Sequence, residues 1–308
     1  MKFLIMNPKI LRFVLFFFLM SIFLLSFHQS ATALEEPVRV VASIAPLADL
    51  VSYIGGDQVS VHLLVPNGVS PHTFDPKPSD IRNLENSDLF FVIGLDFELF
   101  ANDLVKAVGG KVELIETSRG IIPLNDEIDD QHEEPVDRNH VLGNPHIWVS
   151  LRNLQIIART VAEVLSSVDP DHSNLYHQNA HSYIQKCQDL DQWFTQESKQ
   201  FRIHKFIAAH AAWVYLARDY ELKQVGVIEE TPGKEPSPKS IKTLVEKIKD
   251  SEIPVVFAEP QLSQKAAQVL ADEAGVKVAI LDPLGFYPEV PFLETMRDNL
   301  KKIAGVMK

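Results

Sequence analysis

Val38-Arg39-Val40-Val41-Ala42-Ser43 is followed by a stretch of helical length, Pro46 to Ile54, and then by a second apolar run, Val59-Ser60-Val61-His62-Leu63-Leu64-Val65. A short apolar run, a helix and another short run form the sequence pattern of a crossover connection, which leaves neighbouring strands parallel. The alternation continues with Ser79 to Asn86 as helix, Leu89 to Ile93 as strand, Phe97 to Val108 as helix and Lys111 to Ile115 as strand. A second set follows: strands at Phe206 to Ala209, Gln224 to Val227, Val255 to Ala258 and Val276 to Leu281, with helices at Ala211 to Asp219, Ser237 to Lys249, Ser263 to Ala274 and Phe292 to Ile303. The expected fold class is α/β, with two lobes that each carry a parallel sheet covered by helices.

Leu151 to Val168 lies between the two sets as an apolar-periodic helix ended by Asp169-Pro170. Asp171 to Gln200 then runs without Gly or Pro and spaces Leu175, Tyr183, Leu190 and Trp193 as on one helix face. The expected organisation is an N-terminal lobe over 38–168, a bridging helix over 171–200 and a C-terminal lobe over 201–308. One long helix as the bridge restricts hinge bending, so the lobes are expected to move little.

Residues 1–33 belong to neither lobe. Lys2, Lys9 and Arg12 precede an apolar run from Phe13 to Phe27 and the small residues Ala31-Thr32-Ala33, the order of a secretory signal peptide cleaved after Ala33. The run is shorter than the roughly 20 residues that span a bilayer as a helix. No cysteine lies near it to carry an acyl anchor, so the mature chain is expected to be soluble in the periplasm without a lipid. Cys187, the single cysteine, sits in a helical pattern and reads as a buried or idle thiol.

Removing residues 1–33 takes away three positive charges and no negative ones, moving the formal charge from −12 to −15. Such a surface repels phosphate backbones, which argues against a nucleic-acid partner, and attracts cations weakly.

Four residues stand in turn-forming contexts at the ends of strand-like runs or the starts of helices. They are His72 in Pro71-His72-Thr73, His146 in Asn144-Pro145-His146-Ile147-Trp148, His210 in Ala209-His210-Ala211-Ala212-Trp213, and Asp282 in Leu281-Asp282-Pro283. In open α/β sheets ligands bind beyond the carboxyl ends of the strands. Three imidazoles and a carboxylate suit zinc, and their wide spacing means that only the folded chain, with its interlobe cleft, can gather them. Imidazoles must be neutral to ligate, so affinity is expected to fall below about pH 6.5, where free imidazole titrates.

Other histidines are less informative. His177 and His181 are four apart on the bridging helix, but Gln178 stands where H-E-x-x-H has its general base, and they read as exposed helix residues. Asn125 to His140 is crowded with Asp and Glu and carries His132 and His140; it reads either as a plain solvated loop or as a weak cation holder.

With these residues in place the chain resembles the zinc- and manganese-specific periplasmic solute-binding proteins of bacterial ABC importers. The resemblance runs from about Val38 to Lys308. It rests on Gly68-Val69-Ser70-Pro71-His72-Thr73-Phe74-Asp75-Pro76 with Pro78-Ser79-Asp80, on Asn144-Pro145-His146-Ile147-Trp148, on His210-Ala211-Ala212-Trp213, on Glu235-Pro236-Ser237-Pro238, on Phe257-Ala258-Glu259-Pro260-Gln261 and on Leu281-Asp282-Pro283-Leu284-Gly285. It implies two α/β lobes on one rigid helix, a metal held between them by His72, His146, His210 and Asp282, and membrane permease subunits as partners of a monomer.

In that family Asp is commoner than Asn144, and Leu-Asp commoner than Val149-Ser150; neither departure is expected to touch a ligand. Manganese-binding members tend to carry Glu where this chain has His210, so the resemblance implies Zn2+ as the cargo and makes Mn2+ the weaker alternative. Water could replace Asp282 as fourth donor. Two rivals remain. A zinc hydrolase would need a base beside the metal, for which Glu259 is the candidate, and an adhesin-like surface protein is disfavoured by the missing anchor cysteine.

Overall fold

The computed structural model describes residues 36–125 and 142–308. The expected signal peptide and, apart from Asn125, the acidic run that ends at His140 lie outside these residues.

Among the described residues, eight strands form two separate four-stranded sheets of the same topology. β1 (Val38–Ala42), β2 (Val59–Leu63), β3 (Leu89–Val92) and β4 (Glu113–Glu116) stand in the order β2-β1-β3-β4. β5 (Lys205–Ala208), β6 (Lys223–Val227), β7 (Val255–Ala258) and β8 (Lys277–Ile280) repeat it as β6-β5-β7-β8. Every pairing is parallel, as the crossovers require. β3 and β7 are inner strands, and all four residues of each are buried. The edge strands are more polar: Ser60 and His62 on β2, Glu113 and Glu116 on β4 and Lys277 on β8.

The connecting helices are α1 (Ala45–Gly55), α2 (Pro78–Glu85) and α3 (Ala101–Ala107) in the first half, and α6 (Val214–Asp219), α7 (Pro238–Asp250), α8 (Gln264–Ala274) and α9 (Phe292–Met307) in the second. α4 (Leu151–Val168) and α5 (Ser173–Ser198) run between them. Because neighbouring residues of a strand face opposite ways, each sheet feeds two cores. Val40, Ala42, Leu89 and Phe91 of the first sheet and Val255 and Phe257 of the second join α4, α5 and α9 in one continuous core. The other face of the first sheet, with Val41, Phe90 and Val92, is covered by α2 and α3. That of the second, with Ile207, Val256 and Ala258, is covered by α7 and α8.

The bridging helix is therefore part of the core. Its buried stripe is Tyr176, Ala180, Tyr183, Cys187, Leu190 and Phe194, spaced three and four apart. Tyr183 and Leu190 were expected there, whereas Leu175 and Trp193 are only partly covered. Cys187 lies in the stripe, and burial pushes its thiol up to about 12, which leaves it inert. Among the described residues no helix is long and apolar enough to cross a membrane.

The main departure from expectation is α3, expected from Phe97 and beginning at Ala101. Leu95 and Asp96 both take positive φ, which no helix can continue. Glu98 instead turns inward and accepts hydrogen bonds from Ile93 N, Gly94 N and Ser43 Oγ. It lies where the strand order reverses between β1 and β3, and burial pushes its carboxyl up to about 7 against the lowering effect of those donors.

Candidate metal centre

The carboxyl ends of both sheets carry the loops that build the site. His72 sits in a single 3-10 turn, Pro71–Thr73, after β2. His146 opens the turn Ile147–Val149 just before α4, and His210 follows β5 by two residues. These three sequence-expected ligands converge. His146 Nε2 lies 3.0 Å from His72 Nε2 and 3.0 Å from His210 Nε2, and one nitrogen from each ring falls within 4.8 Å of the other two. His146 and His210 are buried and His72 partly so.

Protons decide what these nitrogens can do. Asn144 Oδ1 accepts from His146 N at 2.9 Å, which fixes that atom as the oxygen, and it also lies 3.0 Å from His146 Nδ1. Glu259 brings its two carboxylate oxygens to 3.0 and 2.9 Å from His210 Nδ1. An oxygen without a hydrogen calls for a donor, so both rings keep their proton on Nδ1 and aim the Nε2 lone pair at the centre. Two lone pairs 3.0 Å apart repel unless a proton or a metal ion lies between them. Tetrahedral zinc with bonds of about 2.0–2.1 Å spaces its donors by roughly 3.3 Å, a small adjustment from this geometry.

The rings are held by aromatic neighbours. Phe97 meets the edges of His72 and His146 with centroids 5.1 and 5.8 Å away, and Trp148 lies 5.1 Å from Phe97 and 5.2 Å from His146. Trp148 Nε1 donates to Pro283 O at 2.7 Å, tying the first half to the loop after β8. Gln224 Nε2 holds the backbone carbonyl of His210 at 2.8 Å.

Asp282, the fourth expected ligand, is placed at the same edge but is not part of the gathered trio. Its Oδ1 accepts from Gln261 Nε2, Leu284 N and Gly285 N at 2.9, 2.9 and 3.0 Å, while its backbone exchanges hydrogen bonds with the Asn299 side chain. Among the described residues the bonds its carboxylate accepts fall on Oδ1, and Oδ2 is the atom it can offer an ion.

Two sequence readings need correcting. Asn144 was not expected to touch a ligand, yet it grips His146. Glu259, the candidate base of a hydrolase, is buried behind His210 Nδ1, turned away from the Nε2 atoms. No local signal marks either role, because the partners of Asn144 and Glu259 are fixed by tertiary structure; Ala211 O, which accepts from Asn144 Nδ2 at 2.7 Å, is 67 residues away. His177 and His181 are exposed on α5, and among the described residues no other trio of His, Cys, Asp or Glu side chains gathers as the three imidazoles do.

Comparison with known proteins agrees with this geometry. Residues 40–306 match the family model described as the periplasmic component A of the zinc-uptake complex. The chain is 31% identical over 282 residues to the high-affinity zinc uptake system protein ZnuA of Bacillus subtilis, covering 88% of each. It is 29% identical over 287 residues to the zinc-binding protein AdcA of Streptococcus pyogenes, covering 87% of this chain but 56% of that longer relative. A crystal structure of ZnuA superposes with a TM-score of 0.79 at 32% identity, over 89% of this chain and 100% of that one. The chain therefore belongs to the family of the periplasmic A component of zinc-uptake complexes.

Proposed function

We propose that the protein captures a zinc ion on the Nε2 atoms of His72, His146 and His210, with Asp282 Oδ2 as the fourth donor, and hands it to an ABC-type importer. As a solute-binding component it carries cargo and catalyses no reaction, and its partners are the permease subunits of that importer. The observation that carries the reading is the pair of Nε2 lone pairs set 3.0 Å apart by outward-tied Nδ1–H groups, an arrangement that calls for a cation. Three imidazoles are a softer set than manganese prefers, which supports zinc over Mn2+.

In this reading the chain works as a monomer of two lobes, 38–168 and 201–308, on the helix of 171–200. It is secreted by residues 1–33 and is free of lipid, since the apolar run Phe13 to Phe27 and Ala31-Thr32-Ala33 are followed by no nearby cysteine. Metal analysis of protein from its native compartment, with competition between Zn2+ and Mn2+, tests the core of the proposal. One bound zinc that manganese in excess does not displace is expected, and it should vanish when the three histidines are replaced by alanine. Retention of zinc by that triple variant would refute the site.

A further inference from the structure

Asn144 is buried and engaged on every side. Its Oδ1 receives both the backbone N–H and the ring Nδ1–H of His146, while its Nδ2 donates to Ala211 O at 2.7 Å, next to His210. Its own carbonyl accepts from Tyr215 Oη at 2.6 Å, and its N–H donates to Leu124 O at 2.6 Å. One amide therefore orients a donor that precedes α4 and, by its other end, grips the backbone beside a donor that follows β5.

We propose that Asn144 is a positioning residue that fixes His146 as an Nε2 donor and couples it to the His210 segment, slowing zinc release. The proposal rests on the reading that His146 and His210 ligate zinc. Release requires one imidazole to retreat from the others, and the tie to Ala211 O resists the separation of these two. In this chain the amide matches its surroundings, because its two ends face opposite chemistry. An aspartate would still accept from both His146 groups, but would set a second oxygen against the Ala211 carbonyl. The cross-link would be lost and two oxygens would face each other. Alanine removes both functions.

The test uses the full mature chain and two readouts. The first is the nitrogen-15 shift pattern of the His146 ring in metal-free protein at mildly alkaline pH, which reports the tautomer. The second is the rate at which a chelator in excess draws zinc from the loaded protein. Asn144→Asp should keep the Nδ1–H tautomer and release zinc roughly tenfold faster, the factor expected when one hydrogen bond between the two segments is lost and replaced by an oxygen–oxygen contact. Asn144→Ala should lose the tautomer preference as well. Should Asn144→Ala fail to fold, Asn144→Asp, which has the same shape, decides alone. Wild-type release by Asn144→Asp, or an unchanged tautomer in folded Asn144→Ala, would overturn the proposal. A His146→Ala variant separates the two levels. If it binds zinc as tightly as the wild type, the ligand assignment itself falls; if it loses zinc while Asn144→Asp releases normally, only the positioning role falls.

Discussion

His146 and His210 each have Nδ1 held by a partner outside the trio, which sets the direction of Nε2 by construction rather than by chance of rotamer. Asp282 is built differently: its Oδ1 accepts from two backbone N–H groups of its own loop and from Gln261 Nε2 after β7, and it is not part of the gathered trio. His210→Ala should therefore weaken zinc binding by more than the roughly 10- to 100-fold typical of outer partners, and Asp282→Ala should stay within that range. Competition calorimetry checks the ranking, and the reverse order would make the carboxylate the dominant donor. Glu98 gives a second prediction, in the metal-free protein. Burial raises its carboxyl from 4.5 to about 7, so the folded state holds the proton more tightly than the unfolded chain does. That contribution, of the order of 3 kcal/mol, is full below pH 4.5 and is lost as pH rises through 7. Asp49, raised by burial to about 6, acts in the same direction. Urea midpoints should fall between pH 5 and 8 in the presence of chelator, and Glu98→Gln should fall less; parallel profiles for the two proteins would contradict the assignment.

At the scale of elements, the site depends on where α4 begins. Ser150 caps the helix, its Oγ accepting from Asn153 N at 3.1 Å and donating to the buried carboxylate of Asp219 at the end of α6. Asp219 is also paired with Arg218, whose guanidinium lies 2.7 Å away. Ser150→Ala removes both a cap and a cross-connection, and should cost about 1–2 kcal/mol of stability, read as a lower denaturation midpoint; an unchanged midpoint would show the cap to be dispensable. The strands and most helices could be read from sequence to within a residue or two, because buried parallel strands are short apolar runs and the helices carry their own periodicity. The start of α3 could not be, since a carboxylate drawn back to Ile93 N and Gly94 N overrides the helical pattern of Phe97 to Val108. That three histidines gather at one edge could be read from the sequence, because βα loops announce themselves. Asn144 and Glu259 were not, because an amide or a carboxylate becomes an orienting group only when a distant loop delivers an imidazole to it.

For the whole molecule, the proposed donors come from loops of both sheets, while other contacts already join the halves. Ser52 Oγ meets Tyr287 Oη at 2.7 Å, Asn67 exchanges two hydrogen bonds with the Tyr287 backbone at 2.7 and 3.2 Å, and Trp148 reaches Pro283 O. With α5 packed into the shared core, such ties favour small loop movements over a wide hinge for loading and release. Zinc then acts as one more tie, present only in the loaded protein. An ion that binds the folded chain and not the unfolded one adds about 4 kcal/mol at a free concentration a thousandfold above its dissociation constant. For a chain of this size that is a rise of roughly 10 °C in melting temperature. Calorimetry should show this rise on loading and its reversal by a chelator. Amide exchange should slow mainly at residues 70–74, 144–150 and 209–213, where the donors attach. If the gain in protection were instead spread evenly over the helices far from those loops, the ion would be closing a hinge, and the picture of two halves held nearly fixed would be wrong.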